Sequence, residues 1–66
     1  MNFSEALKTM KMGNKVSREA WRGQISWWYI PEGKEQIMEG FPDGHEQPRN
    51  GIATTNIFAD DWWVVT

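Results

Sequence analysis

The side chains best suited to chemistry lie around Trp21. Arg18 and Arg22 flank this tryptophan, and Trp27 and Trp28 follow a few residues later. A guanidinium group makes bidentate hydrogen bonds to a phosphate, and an indole ring stacks on a nucleobase. The cluster therefore fits a nucleotide-sized ligand. A tryptophan packed in a sheet, with a surface arginine on each side, explains the same pattern.

Catalytic groups are scarce. The chain has no cysteine, and its single histidine, His45, lies between Gly44 and Glu46 in a segment typical of a solvated loop. The grouped carboxylates are Asp60–Asp61 and Glu32, Glu35 and Glu39. Groups of this kind are more typical of a solvated surface than of an acid–base pair, which needs a raised pKa in a cleft. The glycines have no phosphate-loop or dinucleotide spacing. We therefore predict a protein that is not an enzyme, with no catalytic residue, metal or cofactor.

The size of the chain limits its core. A single domain of 66 residues buries only about 60% of the surface that its unfolded chain exposes. Without cysteine, neither a disulfide nor a thiolate zinc site can add stability, so oligomerisation is the stabiliser that remains. The five tryptophans, three phenylalanines and one tyrosine are too many for so small a core. We expect some of them at a subunit interface or a ligand pocket.

The charge excludes long nucleic acids as partners. The chain has seven Lys and Arg and nine Asp and Glu, so its net charge is -2, and the sequence contains no basic stripe. Polymer binding depends on many phosphate contacts, whereas a ligand with one or two phosphates needs few cations. No apolar stretch is long enough to span a membrane, and the start has no apolar core of a signal peptide. We expect a protein of the host cell cytoplasm.

The element that begins the chain is predicted to be a helix. Its apolar face has helical spacing and consists of Phe3, Leu7 and Met10. Asn2 or Ser4 can cap its start, and Asn2 with Glu5 would form a capping box. Gly13 is expected to end the helix in a left-handed conformation.

Strands are predicted to follow the helix. The strongest is Ile25–Ile30, which is apolar on both faces, so we expect two covers: the helix on one side and a ligand or a second subunit on the other. The remaining predicted elements are strands at Lys15–Arg18, Gln36–Met38 and Trp62–Val65, a primed turn at Asn50–Gly51, and a helical turn through Ile57–Asp61 capped by Thr55 or Asn56. The fold class is α+β, in one domain over residues 1–66, with the N-terminal helix packed on an antiparallel sheet of four to five strands.

Both ends of the chain resemble a family of short phage proteins. Residues 1–21, MNFSEALKTMKMGNKVSREAW, resemble the family's opening, Asn-Phe-x-Glu/Ser-Ala-Leu followed by Lys-x-Gly-x-Lys-Val-x-Arg-x-x-Trp. Residues 54–65, TTNIFADDWWVV, resemble its closing Ser/Thr-x-Asp-x-x-Ala-x-Asp-Trp-x-Val-Val. The matching positions are Lys11, Gly13, Lys15, Val16, Arg18 and Trp21 in the opening, and Thr54, Ala59, Asp61, Trp62, Val64 and Val65 in the closing motif.

The resemblance implies a function. Members of this family are anti-defence sponges that counter Thoeris immunity, in which a TIR-domain enzyme makes a cyclic ADP-ribose isomer as an alarm signal. The sponge binds the signal without degrading it, and some relatives also hold cyclic dinucleotides of the CBASS pathway. The resemblance further implies a homotetramer, a dimer of dimers, with ligand pockets between subunits.

The same resemblance implies site residues. Trp21 matches a family tryptophan that stacks on the ligand, and Arg18 matches a basic position. Thr54 and Thr55 stand at polar positions of the closing motif, and Asn56 replaces a family aspartate. With Trp28 from the aromatic cluster, these residues form the predicted ligand site.

One family residue is missing. The family usually has a tryptophan shortly before the polar pair, and Asn50 stands at that position here. Trp27, Trp28 or Trp63 could supply the missing ring. This departure leaves the ligand's identity open, and it keeps an alternative function in view: a protein-interaction module that docks a partner on exposed tryptophans. A small hydrolase of the signal is a third hypothesis, under which the ligand would be released chemically changed.

Overall fold

The computed structural model describes residues 1–66 as one helix packed on a five-stranded antiparallel sheet. This architecture confirms the predicted α+β fold. The elements are α1 (Phe3–Lys11), β1 (Lys15–Arg18), a 3-10 turn (Glu19–Trp21), β2 (Trp27–Tyr29), β3 (Ile37–Gly40), β4 (Glu46–Arg49), α2 (Thr54–Phe58) and β5 (Trp62–Val65). The strand order is β4-β3-β2-β1-β5, so β1 and β2 lie inside the sheet and β4 and β5 form its edges.

The start of α1 is fixed by its own first residues. The Asn2 side chain accepts a hydrogen bond from the Glu5 backbone N–H, and the Glu5 carboxylate accepts one from the Asn2 N–H, both at 2.9 Å. This reciprocal pair is the predicted capping box. Gly13 follows the helix with φ of 93°, the left-handed conformation expected of it. The helix buries Ala6 and Met10 against the sheet.

Strand register determines which side chains face α1. Val16 lies opposite Trp28 on β2 and opposite Val64 on β5, and directly opposed residues point to the same face. Trp28 therefore faces the helix, and its neighbours Trp27 and Tyr29 face the other way, as the alternation predicted.

All of the buried apolar side chains lie on the helix side. They are Ala6, Met10, Val16, Trp21, Trp28 and Trp62. The three indole rings form a mutual cluster: the Trp21 ring centroid lies 4.8 Å from that of Trp28 and 5.0 Å from that of Trp62, which itself lies 5.5 Å from Trp28. Packing at these distances is the favoured range for aromatic pairs.

Two local predictions are wrong. The predicted primed turn at Asn50–Gly51 is absent, since neither residue has a positive φ. The hairpin turn lies instead at Phe41–His45, where Gly44 has φ of 93° and β3 pairs with β4. The second helix begins earlier than predicted, at Thr54, and its N-cap is Ala53, which offers no side-chain cap. No helix in the chain has the length and apolar character needed to cross a bilayer.

Candidate functional site: the open face of the sheet

Two predicted stacking residues lie in the core. Trp28 is 0% exposed and its indole N–H donates to the Glu39 carboxylate at 2.8 Å. Trp21 is 7% exposed and packs against Trp28 and Trp62. Base stacking needs an accessible ring face, and Trp28 offers none in this subunit. Trp21 is mostly covered but lines the groove described below, so its ligand contact stays a prediction.

Arg18 and Asn56 are brought together, but they bind each other. The Arg18 guanidinium donates to the Asp61 carboxylate at 2.7 Å and to the Asn56 side-chain oxygen at 2.7 Å. The Asn56 backbone carbonyl in turn accepts the indole N–H of Trp62 at 3.1 Å. Arg18 is thus tied into an internal polar cluster, while it also lines the groove described below, so its contact with a ligand stays a prediction. Asn56 is buried within the same cluster, and its ligand contact also stays a prediction.

Asp61 is held in its charged form by this cluster. The hydrogen bond from Arg18 lowers the pKa of the Asp61 carboxyl, and a hydrogen bond from the Ala20 backbone N–H at 3.1 Å acts in the same direction against the opposing effect of burial. The cluster joins β1, α2 and β5, which is a structural role. Thr54 and Thr55 are exposed in the first turn of α2, where neither side chain makes a hydrogen bond.

The face of the sheet opposite α1 carries no cover. We call it the open face; its members are Lys15, Ser17, Trp27, Tyr29, Met38, Gly40, Glu46, Pro48, Trp63 and Val65, as the register requires. Trp63 is 47% exposed. Aromatic and aliphatic side chains thus form most of a surface that a soluble monomer rarely leaves contiguous.

A groove crosses the open face between two tryptophans. Ser17 lies directly opposite Trp63 on β5, and because Val16 lies opposite Trp28, Ser17 also lies opposite Trp27. The small, buried Ser17 side chain therefore forms a low point with an indole on each flank. The groove has a volume of about 450 Å³, and its lining includes Arg18, Trp21 and Arg22. The Arg22 side chain is exposed and pairs with Glu19.

Trp27 rests directly on Gly40. A Cβ added to Gly40 would lie 2.3 Å from Nε1 and 2.4 Å from Cε2 of the indole, so only glycine allows this approach. The contact buries the indole N–H without a hydrogen-bond partner. The Lys15 ammonium also lies over the ring, 4.2 Å from its centroid and 5.6 Å from the Tyr29 centroid.

Tyr29 and Glu46 close one side of the open face. The Tyr29 hydroxyl donates to the Glu46 carboxylate at 2.8 Å, and this hydrogen bond, followed by burial, raises the pKa of Tyr29. Tyr29 therefore stays a neutral donor. His45 is exposed in the β3–β4 turn, where it pairs with Asp43 and stacks on Phe41, in line with a solvated loop histidine.

No protein-family model, curated protein or solved structure matches this chain. Its function must therefore be argued from its own residues. The sequence did signal the open face, because Ile25–Ile30 is apolar on both sides, and it named Trp27 and Trp63 as possible replacement rings. What it lacked was the pairing that places these two rings on either side of Ser17.

Proposed function

We propose that this protein is a phage anti-defence sponge that binds a cyclic nucleotide immune signal and holds it without degrading it, in the cytoplasm of the host cell. The observation that carries the proposal is the groove on the open face, where the indoles of Trp27 and Trp63 flank Ser17 and the cationic side chains of Lys15 and Arg22 lie nearby. Indole faces suit bases, and cations suit phosphates. The ligand classes are a cyclic ADP-ribose isomer and cyclic dinucleotides.

The energetic demand on such a site is high. Nanomolar affinity corresponds to about −12 kcal/mol, and base stacking supplies roughly 1–3 kcal/mol for each base. The groove of one subunit is shallow and open to solvent, where charged contacts are weak. A sponge therefore needs its groove enclosed, because a lower local dielectric strengthens each charged hydrogen bond.

A second copy of the chain is the cover that we propose. The open face is apolar and unpartnered in one subunit, and it carries Lys15 and Glu46 on different strands, so two copies related by a two-fold axis could oppose unlike charges. Small domains without disulfides commonly gain stability by association. A homotetramer, as a dimer of dimers, is the assembly we propose.

The direct experiment is retention and release of the ligand. The purified protein is incubated with cyclic ADP-ribose isomers and with cyclic di- and trinucleotides, washed, and then denatured by heat. We expect one class to be retained and released intact, as measured by liquid chromatography with mass spectrometry. Retention of none of these compounds would contradict the proposal, and release of an altered compound would instead indicate a hydrolase.

Matched variants locate the site. Trp63→Ala removes an indole at the groove and should weaken ligand binding at least tenfold. Phe58→Ala removes an aromatic side chain that is 81% exposed but lies on α2, away from the groove, and should leave binding unchanged. Equal effects of the two substitutions would place the ligand elsewhere.

A protein-interaction module is the second candidate, and the exposed apolar side chains of α2 favour it. Phe58 is 81% exposed and its neighbour Ile57 is 45% exposed. Under this alternative, α2 and the open face would dock a host or phage protein. A stoichiometric protein partner recovered from infected cells, lost on Phe58→Ala and free of any bound small molecule, would favour this function over the sponge.

A further inference from the structure

We infer that the groove selects a nucleotide whose base replaces the Lys15 ammonium on the Trp27 ring and whose phosphate then pairs with that same ammonium. The inference rests on the proposed function for the place of binding, and it adds which residues contact the base and the phosphate and the order of these contacts. It depends on three neighbouring residues of the open face: Gly40, Trp27 and Lys15.

Trp27 has the properties of a fixed platform. Its indole is pressed onto Gly40, at a distance that no side chain at position 40 would allow. The indole N–H is buried without a partner as a result. Natural proteins rarely leave a buried donor unsatisfied without a reason. Here the reason is the close contact of the flat indole ring with Gly40. The Lys15 ammonium lies over this ring, and Trp27 as a whole is half-buried.

The Lys15 ammonium covers the Trp27 ring and can be displaced from it. Its ammonium forms no salt bridge with any carboxylate in the chain; it lies 4.2 Å from the Trp27 centroid instead. The Lys15 side chain is exposed, and cation–π contacts at exposed sites are weak. The lysine stem has several rotatable bonds, so the ammonium can swing off the ring and remain beside it.

The exchange favours a base and an anion on the same molecule. A neutral nucleoside must displace the ammonium and gives it no new partner. A nucleotide takes the ring with its base and offers the displaced ammonium a phosphate within reach of the same stem, where the hydrogen bond is charge-assisted. The groove should therefore prefer a nucleotide to the matching nucleoside.

The experiment compares adenosine monophosphate, adenosine and ribose 5-phosphate by titration calorimetry or by quenching of tryptophan fluorescence. In the wild type, we expect adenosine monophosphate to bind at least tenfold more tightly than adenosine, and ribose 5-phosphate to bind weakest. In Lys15→Met, the two affinities should converge: the monophosphate binds more weakly, and adenosine binds as well or better because the ring is uncovered. Lys15 is exposed, so this variant should fold.

The contact between the Trp27 ring and Gly40 is tested with paired glycine variants. In Gly40→Ala the new Cβ displaces the Trp27 indole, and we expect both adenine ligands to lose at least tenfold in affinity. Gly51→Ala is the matched control, since a Cβ there meets nothing within 4 Å and its φ is not positive. Trp27→Leu, which removes the ring and keeps an apolar side chain, tests the same point if Gly40→Ala unfolds.

Each outcome separates the inference from the proposed function. If cyclic nucleotides bind and neither Lys15→Met nor Trp27→Leu alters their affinity, the inference is wrong and the sponge stands. If no cyclic nucleotide binds but the adenine ligands converge in Lys15→Met, the inference stands and the sponge is wrong. An unchanged preference for the monophosphate in Lys15→Met overturns the inference, and binding of no ligand at all overturns both.

Discussion

At the scale of single residues, the two faces of the sheet differ in whether a buried polar group has a hydrogen-bond partner. On the helix side, the buried Glu39 carboxylate accepts hydrogen bonds from the Trp28 indole at 2.8 Å and from Gln47 at 3.0 Å. On the open face, the buried Trp27 N–H has no partner. A satisfied polar group stabilises a core, whereas an unsatisfied donor costs about 1–3 kcal/mol. The cost on the open face is consistent with a surface shaped for binding.

The Glu39 carboxylate should be essential to the fold. Glu39→Ala leaves the buried Trp28 N–H without an acceptor, which costs about 1–3 kcal/mol, and it also removes the carboxylate that lies 3.7 Å from Arg49. Domains of this size are stable by only about 3–10 kcal/mol, at 0.05–0.15 kcal/mol per residue. Urea unfolding should show Glu39→Ala to be severely destabilised. The exposed Glu35→Ala is the control, and similar unfolding midpoints for the two variants would contradict the prediction.

Asp61 should make stability depend on pH in the acid range. Its pKa in the folded state is lowered by Arg18 and by the Ala20 N–H, so its contribution is fully present above the unfolded pKa of about 3.9. The contribution disappears as the pH falls through the lower folded pKa. Thermal unfolding from pH 6 to pH 2 should show a steeper loss of Tm in the wild type than in Asp61→Asn. Parallel curves would show that Asp61 contributes nothing.

At the scale of elements, the sequence predicted the helices and strands whose formation depends only on residues close together in the chain. The capping box of α1 needs only Asn2 and Glu5, and the alternation of β2 needs only its own residues. The primed turn at Asn50–Gly51 was wrong because a good turn pair adopts a turn only where the strands on either side pair with each other. Here β4 ends at Arg49 and the chain leaves for α2, so no strand follows to make a hairpin.

The cap of α1 gives a test at this scale. Asn2→Ala removes the acceptor for the Glu5 N–H, and losing an N-cap costs about 0.5–2 kcal/mol. Ser4→Ala is the control, because Ser4 was the alternative cap and its side chain makes no hydrogen bond. Chemical unfolding followed by circular dichroism should give a lower midpoint for Asn2→Ala than for Ser4→Ala. The reverse order would show that Ser4 is the working cap.

At the scale of the whole molecule, the sheet separates residues that are neighbours in sequence. Trp27 and Trp28 are adjacent, yet one lies on the open face and the other in the core. The predicted site combined residues from the ends of the chain, and the fold turns Trp21, Trp28, Arg18 and Asn56 inward. Periodicity indicates that a strand has two faces, but only packing against α1 decides which face is buried. The sequence could therefore predict the fold class but not which tryptophan rings are buried against α1.

The proposed assembly gives the last prediction. If a second copy covers the open face, a charge placed there should repel its own symmetry mate. Trp63→Lys should then appear as a dimer in native mass spectrometry and sedimentation velocity at concentrations where the proposed tetramer forms, because a dimer of dimers keeps its second interface. Phe58→Lys places the same charge at a more exposed aromatic position, on α2 rather than on the open face, and should leave the assembly intact. A tetramer that survives Trp63→Lys but dissociates in Phe58→Lys would show that α2, and not the open face, joins the subunits. A wild type that stays monomeric at all concentrations would contradict the proposed assembly.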